Sequence, residues 1–184
     1  DDLATLYPET LGALGLKRCK LQMMRTSPAP DGSRIGPMLA AGLTLRHYRS
    51  FEGCPSLPSL RARFAAQSPE FDRYGIHVMV AQNGLGELVL GDSHEYDDNI
   101  EPFDRPDIDD LVLGYLSKFF HLPDVPIAQR WHGVYVKHPL KPFVVEHPEP
   151  GVTVVTGLGG AGMTLSFGLA EQNVARALDE NSAA

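Results

Sequence analysis

Polar and hydrophobic positions alternate through KRCKLQMMRT, residues 17–26, in the period of two expected of a strand with one face on a core. Ahead of it, LATLYPETLGALG (3–15) reads as a short helix stopped by glycine, and behind it SPAPDGSRIGP, rich in Pro, Gly and Ser, predicts a loop. AAGLTLRHYRS alternates again and predicts a strand, with Leu43, Leu45 and His47 on one side and Thr44, Arg46 and Tyr48 on the other. SLPSLRARFAAQ and SPEFDRYG predict two short helices, the second with Ser68 as N-cap and Pro69 at the first helical position. GIHVMVAQNGLGELVLGDSHEYD predicts a hairpin: two runs rich in Val, Ile and Leu flank a turn at 82–86. Ile108, Leu111, Val112, Tyr115, Leu116, Phe119 and Phe120 recur at helical spacing, with Asp107, Asp109 and Asp110 at the positive N-terminus, so one long apolar stripe is expected in the core. IAQRWHGVYVKHP predicts a strand, PFVVEH and GVTVVTG two more, and a helix closes the chain. Antiparallel hairpins and meanders with helices inserted between them are α+β organisation.

Composition narrows the function. In 184 residues, 43% hydrophobic content is ample for a packed core, and a net charge of -7 lacks the basic face that nucleic-acid binding requires. No apolar run approaches a membrane span and no segment has signal-peptide form, so a soluble cytoplasmic protein is expected. Cys19 and Cys54 have no C-x-x-C or histidine spacing and are expected to be thiols outside any disulfide. The acidic run from Asp92 to Asp98 reads as a metal ligand set or as a solvated turn. No second cluster has ligand spacing, and no metal site is expected. The chain opens DDLATLYPE without an initiator methionine and reads as a segment of something longer.

The chemistry concentrates in VTVVTGLGGAGMT, residues 152–164. Gly157, Gly159 and Gly162 stand at G-x-G-x-x-G spacing after a β-branched run. A dinucleotide fingerprint needs a βαβ unit of roughly 30 residues and an acidic group about 20 residues on, whereas a single helix follows here. Gly157, Gly159, Gly160 and Gly162 let the backbone approach a flat or anionic ligand, and a helix starting near Met163 offers unpaired N–H groups. Such an end suits a flavin, whose reduction leaves negative charge near N1 and the C2 oxygen. The same glycines also suit a turn that merely packs a strand tightly on a helix.

The order of RWHGVYV, two short strands, PGVTVVTGLGGAGMT and a final helix resembles the C-terminal half of FAD-dependent oxidoreductases of the D-amino-acid oxidase superfamily, which includes glycine and sarcosine oxidases. KRCKLQMMRT, VLGDSHEYD and RWHGVYVKHP together look like its branch associated with phosphonate breakdown. The resemblance implies FAD as cofactor, held here by Gly157, Gly159, Gly160, Ala161, Gly162, Met163 and Thr164 against the isoalloxazine ring. It implies that residues 1–16 end a segment of the FAD domain, that 17–138 form an antiparallel substrate-binding domain, and that 139–184 return to the FAD domain. The N-terminal dinucleotide-binding half is absent from this sequence, so the chain alone is expected to be inactive.

Two departures bear on substrate. The superfamily's amino-acid oxidases carry an arginine two residues after the glycine of a W-x-G-like segment; here Tyr135 stands there, after Trp131, His132 and Gly133. Sarcosine-type oxidases place a lysine just after the flavin-facing turn, where this chain has Thr164. Both point away from an α-amino acid. A phosphonate wants several donors, and Arg46, His47, Tyr48, His132 and Tyr135 are the substrate-binding candidates, with Lys137 and His138 nearby in sequence. Arg46 and Lys137 read equally as solvated charges, and His47 and His132 as hydrogen-bonded structural histidines. The expected reaction is oxidation of a C–N bond in a small amine by hydride transfer to flavin N5, with no side-chain catalytic residue assigned. The alternative is a stand-alone α+β module that binds an anion or a partner without catalysis.

Overall fold

The computed structural model describes residues 5–182. Its architecture is α+β, as the alternation and helical periodicity predict. Strands β1 (Lys17–Thr26), β2 (Leu39–Ala40), β3 (Met79–Gln82), β4 (Leu88–Gly91), β5 (Glu95–Asp97) and β6 (Ile127–Lys137) form one sheet in the order β2-β3-β4-β1-β5, with β6 also paired to β1. Strands β7 (Val144–Glu146) and β8 (Val154–Thr156) form a separate antiparallel pair. The chain divides into two compact units. The first comprises the residues up to Cys19, Tyr96–Ile100 and those from Val134 onward; the second comprises Lys20–Glu95 and Glu101–Gly133.

The second unit holds the larger core. In the predicted hairpin, Val80 pairs with Leu90 and both are fully buried. Its turn closes because Asn83 Oδ1 accepts the N–H groups of Leu85 (2.9 Å) and Glu87 (3.1 Å), while Gly86 takes a φ of 86° that glycine adopts without strain. Helix α5 (Pro106–Leu116) packs Ile108, Val112 and Leu116 on this sheet at i, i+4 and i+8. The predicted stripe loses Phe119, because the N–H groups of Lys118 and Phe119 bond only three residues back, to Tyr115 and Leu116, while Phe120 still packs on the core. The chain has left the helix there, and Phe119 is exposed. Removing one methylene from Ile108 is expected to cost about 1 kcal/mol; urea unfolding of Ile108→Val checks this.

Two buried polar groups brace the unit. Lys20 donates from Nζ to the carbonyls of Glu101 and Phe103 and lies 3.2 Å from Asp104. Asp109 accepts from Gln22 Nε2 at 3.2 Å and from Arg130 Nε at 2.8 Å. Burying either charge without those partners would be costly.

The segment from Ala41 to Phe51 differs from its predicted strand. Only Leu39 and Ala40 pair with β3, and the chain then turns: the N–H groups of Thr44, Leu45 and Arg46 bond to Ala41, Gly42 and Leu43. Helix α2 (Thr44–His47) and a 3₁₀ turn (Arg49–Phe51) follow. Leu43 and Thr44, adjacent in sequence, are both buried, which a strand with one buried face does not allow and a helical turn does. Arg46, His47 and Tyr48 therefore do not alternate across a strand. Helices α3 (Leu57–Gln67) and α4 (Pro69–Arg73) match their predictions, although the Ser68 hydroxyl makes no capping bond.

In the first unit, helix α1 (Pro8–Ala13) is shorter than the segment 3–15 that suggests it, and residues 3 and 4 lie outside those described. Helix α6 (Gly162–Ser182) buries Leu169. Met163, Phe167, Val174 and Leu178 share another face of it and are 92%, 83%, 58% and 62% exposed, so this helix presents an uncovered apolar stripe. Among the described residues no helix is long and apolar enough to cross a membrane. Neither cysteine is in a disulfide.

Candidate functional site

The glycine-rich turn in the first unit joins β8 to α6. Gly157 leaves the strand at φ 77°, and a Cβ there would stand 3.2 Å from Leu16 Cδ2 and 3.5 Å from the backbone N of His138. The His138 N–H bonds to the Gly157 carbonyl, so this end of β6 is stitched to the turn. Gly159, at φ 59°, opens a 3₁₀ turn (Gly159–Ala161) that runs into α6 at Gly162. A Cβ on Gly159 would meet the Lys137 side chain at 3.2 Å, whereas one on Gly160 would find Tyr135 Oη at an ordinary 3.5 Å. Strand, glycine turn and helix N-terminus thus follow one another as the sequence suggests. No acidic residue occupies the first turn of α6, which leaves its partial positive charge unopposed from within that turn.

Beside the turn, Lys137 Nζ donates to Tyr96 Oη at 3.3 Å and lies 5.2 Å from that ring's centroid. His138 Nδ1 accepts two backbone N–H groups, from Leu140 and Lys141, and is committed to holding the chain past β6. Met163 and Thr164 are exposed at the start of α6, and Ala161 is half-buried. Gly160 is exposed, with the Ala161 N–H bonded to the Leu158 carbonyl and the Gly162 N–H to the Gly159 carbonyl, so the 3₁₀ turn closes on itself beside an open stretch of backbone.

A different cluster stands in the second unit. His77 and Asp92 exchange backbone hydrogen bonds of 3.3 and 2.9 Å, and the His94 N–H bonds to Tyr74 O at 2.8 Å. The hairpin pairs Met79 with Gly91, so regular pairing would set His77 against Ser93. Instead Val78 is an extra residue on its strand, and the one-residue slip brings Asp92 opposite His77. The His47 ring, from the end of α2, packs against those of His77 and His94 at tilts of 31° and 45°: ring centroids are 4.1 Å apart for His47 and His77 and 4.2 Å for His47 and His94. Burial, then the neighbouring His47, pushes His77 down to about 3, so its imidazole is neutral at physiological pH. Burial pushes the Asp92 carboxyl up to about 7. Burial and then the Asp92 charge also raise the Tyr48 phenol.

The sequence-predicted substrate residues fall into separate settings. His47 and Tyr48 meet edge to face at 5.0 Å, and Tyr48 also faces His77. Arg46 is engaged by the Asp72 carboxylate and lies over the Phe64 ring. His132 Nδ1 is 2.6 Å from Asp104 Oδ1. Tyr135 belongs to the first unit, beside Gly160. Sequence reading missed His77, Asp92 and His94 as one cluster. The hairpin was the available signal, but its register slip is not visible in the residue pattern.

The family model described as FAD dependent oxidoreductase (DAO) matches residues 11–176, nearly the whole chain. No curated protein matches it. The match includes both the strand–glycine turn–helix unit and the sheet of the second unit, and the family it defines is FAD-dependent. The chain belongs to the DAO family of FAD-dependent oxidoreductases.

Proposed function

We propose that the protein oxidises the C–N bond of a small amine, with an aminophosphonate such as 2-aminoethylphosphonate or its N-methyl relative as substrate. Family membership over residues 11–176 supports the FAD-dependent oxidoreductase part of this reading, and Tyr135 in place of the carboxylate-binding arginine supports the substrate class. FAD, when bound, supplies the two-electron acceptor: the carbon bearing the amine loses a hydride and the amine becomes an imine, which water hydrolyses. The glycine turn from Gly157 to Thr164 is the proposed seat of the flavin's pyrimidine edge. Backbone N–H groups at the start of α6 would face that edge and stabilise negative charge there. No side-chain base is assigned, so the protein's work is to orient the amine and exclude water.

Tyr135 is the proposed substrate hydrogen-bond donor. It stands where carboxylate-binding oxidases carry arginine, and it lies beside Gly160 of the turn. A hydroxyl can donate one hydrogen bond to a phosphonate oxygen but cannot form the two-pronged clamp that arginine gives a carboxylate. Tyr135→Phe in the flavin-loaded enzyme is expected to raise KM about tenfold, one hydrogen bond to a charged group, with flavin content unchanged. An unchanged KM removes Tyr135 from the substrate site. The substrate class is tested by turnover on aminophosphonates beside sarcosine and D-amino acids. Preference for sarcosine would replace the phosphonate reading with N-methyl amino acid oxidation.

We further propose that the active protein includes a dinucleotide-binding part upstream of this sequence. On this reading 1–16 and 139–184 belong to the FAD domain and 17–138 to the substrate domain. The exposed stripe of Met163, Phe167, Val174 and Leu178 supports it, because an apolar helix face of this length is costly to leave in water.

A further inference from the structure

Three histidine rings from distant parts of the sequence converge in the second unit with a carboxylate among them. One nitrogen from each of His47, His77 and His94 lies within 4.8 Å of the others. His77 and His94 are buried, and their rings stack 4.9 Å apart. His94 Nδ1 lies 3.2 Å from the Gly75 carbonyl, which can only accept, so Nδ1 carries the proton and Nε2 is the nitrogen turned toward the cluster. A backbone carbonyl fixing the far nitrogen is the usual support of a ligating imidazole. Asp92 Oδ1 approaches His77 Nε2 at 3.1 Å, and Oδ2 lies 3.9 Å from His94 Nε2. Despite that approach the alignment is wrong for a hydrogen bond, and Asp92 Oδ1 is buried without a hydrogen-bond partner. A buried carboxylate oxygen is costly in that condition unless something else satisfies it.

We propose that His47, His77, His94 and Asp92 form a binding site for a divalent transition ion of the zinc class. Three imidazole nitrogens and one carboxylate oxygen are a donor set suited to such an ion, and four-coordination would satisfy the orphaned oxygen. Bonds of about 2.1 Å set tetrahedral donors roughly 3.4 Å apart. The His77–Asp92 separation is already near that value, and closing the rest requires rotation of the rings, of which His47 is only half-buried. The ion would pin the end of α2 to the slipped end of the β3–β4 hairpin, within the second unit.

The test uses the protein as purified, without a polyhistidine tag, stripped by chelator and dialysed against Zn²⁺ or Co²⁺. The expected result is one ion retained per chain, with the visible d–d bands of a four-coordinate site when Co²⁺ is used. His47→Gln, at a half-buried position where the fold should survive, is expected to bind at least tenfold more weakly and to lose the Co²⁺ bands. His94→Gln should do the same, and circular dichroism reports whether each variant is folded. Chelation should lower Tm in the wild type and leave that of His47→Gln unmoved. No ion retained by the wild-type protein, or equal retention by folded His47→Gln, overturns the proposal, the second by assigning the metal to other surface groups.

Discussion

Gly75→Ala is expected to destabilise the second unit by about 3 kcal/mol or more. Gly75 sits at φ 54°, where an L-residue is strained, and an added Cβ would stand 2.7 Å from the His94 carbonyl oxygen and 2.9 Å from His94 Cβ. The first obstacle is backbone, so no rotamer change relieves it. Tyr74 and Gly75 would have to separate from His94, giving up the His94 N–H to Tyr74 O bond and the His94 Nδ1–H to Gly75 O bond together. Urea unfolding measures the loss, with Gly53→Ala as a control because its Cβ would meet nothing within 4 Å. A Gly75→Ala protein within 1 kcal/mol of wild type would mean that 74–77 and 92–94 do not run against each other as described.

The second large effect is expected at the flavin turn. Gly159→Val places a β-branched side chain at φ 59° and against Lys137, a strain of about 2 kcal/mol. Relaxing it moves the turn, and FAD affinity in the complete enzyme is expected to fall roughly 10- to 100-fold. Gly160→Ala separates strain from contact. Its Cβ has ordinary space beside Tyr135 Oη, so the fold should be unaffected, and any loss of FAD affinity there measures how closely the ligand approaches the backbone. Flavin fluorescence titration reads both. Unchanged affinity in both variants would move the flavin away from this turn.

Much of the fold was legible because its elements carry long, regular patterns. The β3–β4 hairpin and α5 show several matching positions, and turn chemistry at Asn83 and Gly86 marks the hairpin independently; β1 is a strand as read, but the side it buries carries Lys20, Gln22, Met24 and Thr26, which the residue types do not announce. The pattern misled where it was short. Leu43, Leu45 and His47 alternate, but only two preceding residues have a partner strand, so three-residue turns satisfy the backbone and a helix forms. Phe119 keeps helical spacing on paper after α5 has ended at Leu116. The glycine turn was readable for a different reason: its residue types are demanded by the backbone, with Gly157 and Gly159 both at positive φ.

The histidine cluster was not readable. His47, His77 and His94 have no spacing that links them, and they meet only through the helical turn at 44–47 and the slip at Val78, both tertiary outcomes. The glycine motif has a different limit, since one run of glycines serves a tight turn and a ligand cradle alike. Local sequence alone does not separate the two.

Whether this polypeptide holds flavin is read first from visible absorbance combined with intact mass on protein purified from its natural gene. Flavin absorption bands, one FAD per polypeptide and a mass well above the 20.1 kDa of this sequence are expected. A colourless protein of 20.1 kDa that takes up no FAD on titration would contradict that expectation.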